Sequence, residues 1–397
     1  MIGLVLEGGG AKGAYHIGVY RALNESGISI DGVAGSSIGA INGAIIAQGD
    51  GILAWDIWSG MTNQAVFDID ERFERELRTT GLSVATISNG ISIVKKMIHD
   101  GGIDTGKIKA FIERHIDEKR LRESSVDFGL VTYSLTSNTP MELMLEDIPT
   151  GKLTDYILAS ASFPGFKLET IDGERLVDGG VWDNLPVSML LDRGYDTIIA
   201  VRTNAVGRVK KTSQFGTVRI DICPSEDLGL LLDFDPQRET RNLNLGYLDT
   251  LRLYRGLLGT RYYIEPPAKS DWAFHMLASL ESEKILQAGK MLGFHHLPAR
   301  RMLFEQIVPK ISAILGIDNT IDYTDLVIMA YEIVAEKLSI DRLRIYTIEE
   351  LLQQAKDAYL SEEQKMTPFL STLARGDARL ARLVKDDVLD TLLRIFW

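Results

Sequence analysis

The segment VAGSSIGAING, residues 33–43, places Ser37 among small residues where strand-like sequence changes to helix-like sequence. Gly35, Ser37 and Gly39 match the G-x-S-x-G pattern, in which a sharp strand-to-helix turn exposes a serine oxygen. Glycines flank such a serine because the turn crowds the backbone. The pattern alone is weak, and a serine in an ordinary tight turn is the alternative interpretation.

A glycine-rich turn, EGGGAKGAY at residues 7–15, directly follows the first predicted strand. Gly8, Gly9 and Gly10 can adopt backbone conformations that other residues avoid, and can bring N–H groups close to a ligand. The helix predicted after them directs its positive end at the same point. The turn therefore predicts a site for an anion, either a bound phosphate or a transient oxyanion.

The same turn also fits a dinucleotide-binding pattern. Gly8, Gly10 and Gly13 satisfy G-x-G-x-x-G, and Asp31 lies near the distance expected for an acid that binds a ribose. The ribose-binding acid should end the second strand, whereas Asp31 precedes it. A dinucleotide-binding enzyme stays open as an alternative, and a nucleotide titration would distinguish it.

Asp178 ends another predicted strand and is followed by Gly179 and Gly180, which would leave its carboxylate uncovered. An Asp-Gly-Gly run is also common in ordinary turns. A Ser-His-Asp hydrolase should offer a histidine late in its catalytic domain, but no histidine ends a predicted strand. The six lie elsewhere: His16, His99, His115, His275, His295 and His296. If Ser37 is a nucleophile, its base is therefore predicted to be a carboxylate.

Around these segments, the first 200 residues alternate short β-rich runs with longer helical patterns, which is typical of a mainly parallel sheet covered by helices. The predicted strands are IGLVLE (2–7), GVAGS (32–36), VDFGLVTYSL (126–135), ERLVDGG (174–180) and YDTIIAVRT (195–203). Residues 87–98, ISNGISIVKKMI, place apolar side chains on one helical face, which predicts either core or a lid.

The character of the sequence changes at Pro266 and Pro267, after which no convincing strand is visible. Thr347 and Glu350 have the spacing of a capping box at the start of a helix, as do Ser361 and Gln364, and apolar residues at helical spacing follow both pairs. We therefore expect an α/β domain over residues 1–265 and an all-helical region over residues 266–397.

The composition excludes several classes of protein. A net charge of −12 over 397 residues disfavours nucleic-acid binding and attraction to anionic lipid, so any membrane contact would have to be apolar and local. The single cysteine, Cys223, excludes an intrachain disulfide and a C-x-x-C metal site. Neither a metal nor a cofactor is predicted. Because the first residues lack the features of a secretion signal, we expect a cytoplasmic protein, with any membrane contact peripheral.

The segments GGGAKG, GSSIG and DGG occur in this order, and the ordered set closely resembles the patatin-like phospholipase family. The stretches ASASFPGF at 159–166 and DGGVWDNLP at 178–186 agree with it, and the resemblance covers about residues 1–265. It implies a three-layer α/β/α patatin-like fold and a serine hydrolase of the phospholipase A or lysophospholipase type. Its partner would be a lipid or another acyl ester. A non-catalytic or conditionally active lipid-binding protein is the second alternative.

The resemblance also implies roles for individual residues. Ser37 would be the nucleophile and Asp178 its partner in a catalytic dyad. The oxyanion hole would comprise Gly8, Gly9, Gly10, Ala11 and Ile38. Supporting positions in the motifs would be Lys12, Gly13, Gly35, Gly39, Gly179 and Gly180. Glu7 departs from the family pattern, which more often has a smaller residue or an aspartate there. Since an aspartate is a weak base, with an ordinary pKa of about 3.9, we expect a dry site that raises it.

Overall fold

The computed structural model of the chain describes residues 1–67, 103–212, 216–316 and 322–361. The chain divides into two compact units, Met1–Leu251 and Arg252–Trp397. This division precedes the predicted boundary at 265/266. The predicted amphipathic segment at 87–98 lies outside the described residues.

Within the described residues, the first unit contains one eight-stranded sheet. Its strands are β1 Ile2–Leu6, β2 Gly32–Ser36, β3 Asp127–Ser134, β4 Thr139–Met144, β5 Glu169–Ile171, β6 Glu174–Asp178, β7 Thr197–Val201 and β8 Val218–Ile222. They follow the order β5-β6-β3-β2-β1-β7-β8, with β4 paired to β3. The five strands β3-β2-β1-β7-β8 are parallel, whereas β4, β5 and β6 pair antiparallel with their neighbours. The predicted mainly parallel sheet is confirmed.

Helices cover both faces of this sheet. They are α1 Ala14–Glu25, α2 Ile38–Ala47, α3 Ala54–Ser59, α4 Asn63–Val66, α5 Gly106–His115, α6 Glu118–Glu123, α7 Leu153–Ser160, α8 Val187–Leu191 and α9 Pro236–Arg255. Successive residues of a strand face opposite sides of a sheet. Ala34 of β2 belongs to a buried cluster with Leu190 of α8, whereas Val33 faces Gly43 of α2. The α/β/α layering predicted from the sequence is confirmed.

The carboxyl ends of β2 and β6 meet on β3. β2 runs parallel to β3 up to Ser36, opposite Val131, and β6 runs antiparallel to it down to Asp178, opposite Thr132. β4 occupies the other edge of β3 along these residues, so β2 and β6 share one edge. Because the two strands run toward each other along that edge, Ser37 and Asp178 come together, although they are far apart in the sequence.

In the described part of the second unit, the elements are helices apart from the two-residue strands β9 Tyr263–Ile264 and β10 Ile345–Tyr346, which pair in parallel. β10 is a strand that the sequence does not predict, since the region after residue 265 is expected to be all-helical. Its helices are α10 Trp272–Ser279, α11 Ser282–Met291, α12 Ala299–Met302, α13 Val308–Leu315, α14 Tyr323–Lys337 and α15 Ile348–Ser361. The helical character predicted for this region is confirmed for its described part. The capping box at the start of α15 is confirmed as well, because the Glu350 side chain accepts the N–H of Thr347 while the Thr347 hydroxyl accepts that of Glu350.

None of the helices in the described part of the chain is both long enough and apolar enough to cross a membrane.

Candidate active site

Ser37 occupies the turn between β2 and α2 with a left-handed backbone, at φ 56° and ψ −127°. Positive φ is uncommon for a residue with a side chain, and it persists where the surroundings hold it in place. The N–H of Ser37 donates to the Ser160 hydroxyl at 3.1 Å, and this hydroxyl donates to the Val131 carbonyl at 2.6 Å. Ser160 thus ties the strained turn to β3.

The glycines on either side of Ser37 are required by close backbone contacts. A Cβ at Gly35 would overlap the carbonyl group of Gly39, and a Cβ at Gly39 would overlap the carbonyl oxygen of Leu6 in β1. Backbone atoms in the centre of a sheet cannot move aside as a flexible side chain can. The turn therefore fits only when both of these positions lack a side chain.

Asp178 lies at the carboxyl end of β6, where the N–H of Gly180 donates to its Oδ1 at 2.8 Å. Ser37 lines the same cavity, and its side chain acts on the Asp178 carboxylate in the direction that lowers the pKa. Burial outweighs the effects of Ser37 and Gly180, and it raises the pKa of Asp178 to about 6. A Cβ at Gly179 would overlap the carbonyl oxygen of Val131, so only glycine fits at position 179. A buried carboxylate with a raised pKa is a stronger base than an exposed one.

Only part of the glycine turn presents free N–H groups. Gly9, Gly10 and Ile38 line the cavity that contains Ser37, and their N–H groups have no acceptor within the described residues. The N–H of Gly8 donates instead to the Asn184 carbonyl at 3.0 Å, and that of Ala11 to the Leu231 carbonyl at 2.8 Å. Gly8 and Ala11 do not fit the predicted role of oxyanion donors in this structure, because their donors are already used.

Glu7 anchors the glycine turn to the end of β7. Its buried carboxylate accepts the N–H of Thr203 at 2.6 Å and that of Asn204 at 3.0 Å, and it forms an ion pair with Arg202 at 3.2 Å. The Thr203 hydroxyl in turn donates to the Gly8 carbonyl at 2.6 Å. The residue that departs from the family pattern therefore holds the turn in position.

The predicted supporting residues Lys12 and Gly13 have different surroundings. The ammonium group of Lys12 lies 3.5 Å from the carbonyl oxygen of Thr203, and Lys12 is not among the residues that line the cavity. A Cβ at Gly13 would come within 2.6 Å of the Ile38 side chain and 2.9 Å of the Trp58 ring. Gly13 therefore allows the starts of α1 and α2 to pack closely.

A cavity of about 450 Å³ opens at Ser37 and Asp178. Apart from the polar groups described above, its wall is mostly apolar, with side chains that include Ile41, Trp58, Met61, Phe67, Phe111 and Phe234. Pockets of this size bury most of the surface of a small ligand, and apolar walls of this kind suit a hydrocarbon chain.

Comparison with known proteins agrees with this geometry. The family model of the patatin-like phospholipases matches residues 4–191. Residues 4–191 form a patatin-like phospholipase domain. The matched part contains the glycine turn, Ser37 and Asp178.

Curated relatives match about half of the chain. Lysophospholipase NTE1 of Coccidioides immitis is 34% identical over 211 residues, which cover 52% of this chain and 12% of the relative. Lysophospholipase NTE1 of Chaetomium globosum is 35% identical over 211 residues, with the same coverage. The chain thus spans about an eighth of the length of these relatives. The crystal structure of VipD from Legionella pneumophila aligns with 100% of this chain and 91% of its own, at 14% identity and a TM-score of 0.40.

No histidine among the described residues of the patatin-like domain is placed to act as a base in place of Asp178. None of the described histidines lines the cavity. His16 is buried in α1, where its ring lies 3.3 Å from the Asn42 amide, and burial lowers its pKa to about 3. No group of three or more His, Cys, Asp or Glu side chains in the described ranges could hold a metal ion.

The position of Asp31 in the folded domain does not fit the dinucleotide-binding alternative. The carboxylate of Asp31 accepts the N–H of Ile2 at 2.7 Å, at the amino end of β1. The glycine turn follows the carboxyl end of that strand, so Asp31 and the turn lie at opposite ends of β1. An acid in this position cannot bind the ribose of a nucleotide whose phosphates lie at the turn.

Several residues that shape the site have no local signal in the sequence. Ser160 and Thr203 act through hydrogen bonds to the two turns. Asn184 accepts the Gly8 N–H through its carbonyl, and its side chain occupies the space where a Cβ at Gly8 or Gly180 would lie. Ser160 and Asn184 fall within the stretches that resemble the family, which is the one signal that could have indicated them.

Proposed function

We propose that this chain is a serine acyl hydrolase that cleaves the acyl ester of a lysophospholipid or phospholipid, with Ser37 as nucleophile and Asp178 as base. The observation that carries the proposal is that Ser37 and Asp178 line the same mostly apolar cavity, where the Ser37 side chain acts on the pKa of the Asp178 carboxylate. The family of the domain and the similarity to lysophospholipases support a lipid ester as the substrate.

In the proposed reaction, the Ser37 oxygen attacks the ester carbonyl while Asp178 accepts its proton. The N–H groups of Gly9, Gly10 and Ile38 stabilise the negative charge that forms on the carbonyl oxygen. One such donor typically lowers the barrier by about 3 kcal/mol. As the tetrahedral intermediate collapses, Asp178 returns the proton to the departing alcohol oxygen and an acyl-enzyme remains.

The second half of the reaction uses the same groups. Asp178, ionised again, accepts a proton from a water molecule, whose oxygen attacks the acyl carbonyl of the Ser37 ester. Collapse of the second intermediate releases the fatty acid and returns the proton to Ser37. The acyl chain would occupy the apolar cavity throughout. A cytoplasmic location with peripheral contact to a membrane belongs to the same proposal.

The test is hydrolysis of a 1-acyl lysophospholipid by the full chain and by three variants. Ser37→Ala and Asp178→Asn should each reduce the release of fatty acid at least about a thousandfold, which is the effect expected when one member of a catalytic unit is removed. Ser36→Ala is the matched control, because it removes the neighbouring buried hydroxyl that does not line the cavity, and it should retain activity. Substantial turnover by Ser37→Ala or Asp178→Asn would refute the assignment.

A further inference from the structure

A second cavity, of about 720 Å³, adjoins the first. The two cavities share four lining residues, Pro164, Phe166, Val181 and Arg208. Any extended ligand whose ester lies at Ser37 would therefore have an apolar space and this second space available to its two ends.

The charged residues that line the second cavity are all positive. They are Lys167, Arg175 and Arg208, and the wall contains no acidic residue. Within the part of the chain that the structure describes, no carboxylate lies at ion-pair distance from these three side chains. Such a cationic wall is not expected from composition, since the chain carries a net charge of −12. Cationic groups without an anionic partner are suited to bind an anion.

Arg208 connects this cavity to the reaction site. Its backbone N–H donates at 3.0 Å to the carbonyl of Gly180, which is two residues after Asp178 in the sequence. Its guanidinium group lies 4.5 Å from the centre of the Trp182 ring. Lys210 stands 4.7 Å from the same ring, but it forms an ion pair with Glu142, which also accepts the Trp182 indole N–H. Of these two cations, Arg208 is therefore the one that remains available to a ligand.

We propose that the second cavity binds the phosphate group of a glycerophospholipid substrate, with Arg208 as the principal contact and Lys167 and Arg175 beside it. The inference rests on the proposed function and narrows its substrate class. In a lysophospholipid, the acyl chain and the phosphate lie on opposite sides of the ester. Arg208 lines both cavities, so an acyl chain in the first cavity would leave the phosphate near the three cations of the second, whose other lining residues are mostly apolar.

The kinetic test uses two substrates that differ only in the phosphate, 1-octanoyl-glycerol 3-phosphate and 1-octanoylglycerol. Arg208→Gln should reduce kcat/KM for the phosphate-bearing ester at least about tenfold, the loss expected for one charge-assisted hydrogen bond. It should change the value for the neutral ester less than about twofold. Lys211→Gln, which removes an exposed cation three positions along the chain and outside both walls, should affect neither substrate. An equal loss on both substrates, or no loss, would overturn the proposal.

A binding measurement separates this proposal from the proposed reaction. The ether 1-O-octyl-glycerol 3-phosphate cannot be hydrolysed, and calorimetry should find it bound at least about tenfold more tightly than 1-O-octylglycerol, with the difference lost in Arg208→Gln. Inorganic phosphate should compete poorly because it lacks the chain, and competition by phosphate as effective as by the ether would identify a free-anion site instead. If the chain hydrolyses neither ester while the ether binds as stated, the reaction fails and the phosphate site stands. If both ethers bind equally, the phosphate site fails.

Discussion

The turn after β1 and the turn after β2 join two neighbouring parallel strands to helices, yet they differ in backbone and in chemistry. The first consists of glycines, and Gly9 and Gly10 line the cavity with N–H groups that have no acceptor in the described residues. The second places one serine at φ 56° and directs its side chain to Asp178. The same strand–turn–helix unit can thus supply either donors or a nucleophile, depending on which atoms the turn leaves uncovered.

The two turns are also held in different ways. Glu7 and Thr203 connect the glycine turn to the end of β7, whereas Ser160 connects the serine turn to β3. Glu7, Thr203 and Ser160 are all buried. The comparison teaches that the glycine turn is held by contacts with the segment after β7, whereas the serine turn is held by a residue of α7 that also bonds β3.

The largest effect is expected where the two turns interlock. Gly39→Ala would place a Cβ against the Leu6 carbonyl oxygen, directly before the glycine turn, and neither backbone can move. We expect the free energy of unfolding to fall by more than about 3 kcal/mol, with loss of hydrolysis. Urea unfolding followed by circular dichroism measures this.

Gly43→Ala is the matched control in the same helix. Its Cβ would lie 3.1 Å from a methyl group of Val33 and 3.4 Å from the Phe128 ring, which are side-chain atoms. The free energy of unfolding should change by less than about 1 kcal/mol, because alanine favours the helix over glycine by a similar amount. Equal losses in the two variants would show that the contact between the turns is not the critical one.

The second prediction concerns the free-energy cost of burying the ionised carboxylate of Asp178. Asp178 has a pKa of about 6 in the folded chain against an ordinary 3.8, so its ionisation destabilises the fold by about 3 kcal/mol above pH 6. Below about pH 4 the carboxyl group is protonated in both states and costs nothing. Asp178→Asn should therefore stabilise the fold by as much as about 3 kcal/mol at pH 7.5, and the gain should fade between pH 6 and 4.

Measuring the free energy of unfolding of the wild-type chain and of Asp178→Asn across that pH range tests the direction of the effect. A gain in stability that stays constant with pH, or a loss of stability at pH 7.5, would mean that the ionised Asp178 carboxylate does not destabilise the fold. Ser36→Ala serves as the control for a small buried change beside the same turn, and its effect should not vary with pH.

The smallest of the predicted effects concerns the anchor of the glycine turn. Glu7→Gln keeps an oxygen acceptor but removes the charge that Thr203, Asn204 and Arg202 face, so we expect a loss of stability of about 1–2 kcal/mol. If Glu7 positions the donors of the turn, kcat should fall about tenfold while KM stays near its original value, since the donors act on the transition state. A change confined to KM would contradict this role.

The sequence predicts the central strands well because they are buried on both faces and read as apolar runs. It does not predict β4, β5 or β8, since these lie at the margins of the sheet, with exposed residues that interrupt the pattern. The meeting of Ser37 with Asp178 depends on the register of β2 and β6 along β3, which no local pattern encodes. The family resemblance supplies this pairing where periodicity and spacing do not.

The donors of the proposed oxyanion hole are a second feature that the sequence does not fully predict. The motif includes Gly8 and Ala11, but carbonyl groups from distant segments, those of Asn184 and Leu231, accept their N–H groups. Arg208 carries no motif at all, and its place between two cavities follows from the fold of the loop after β7. Both features depend on contacts between segments that are far apart in the chain.

The most direct measurement is the labelling of the full chain with a serine-reactive fluorophosphonate, with the adduct located by mass spectrometry. The account predicts a single adduct on Ser37, a labelling rate that rises with pH around a midpoint near 6, where Asp178 ionises, and a rate far lower in Asp178→Asn. An adduct on another residue, or an Asp178→Asn chain that reacts as fast as the wild type, would contradict it.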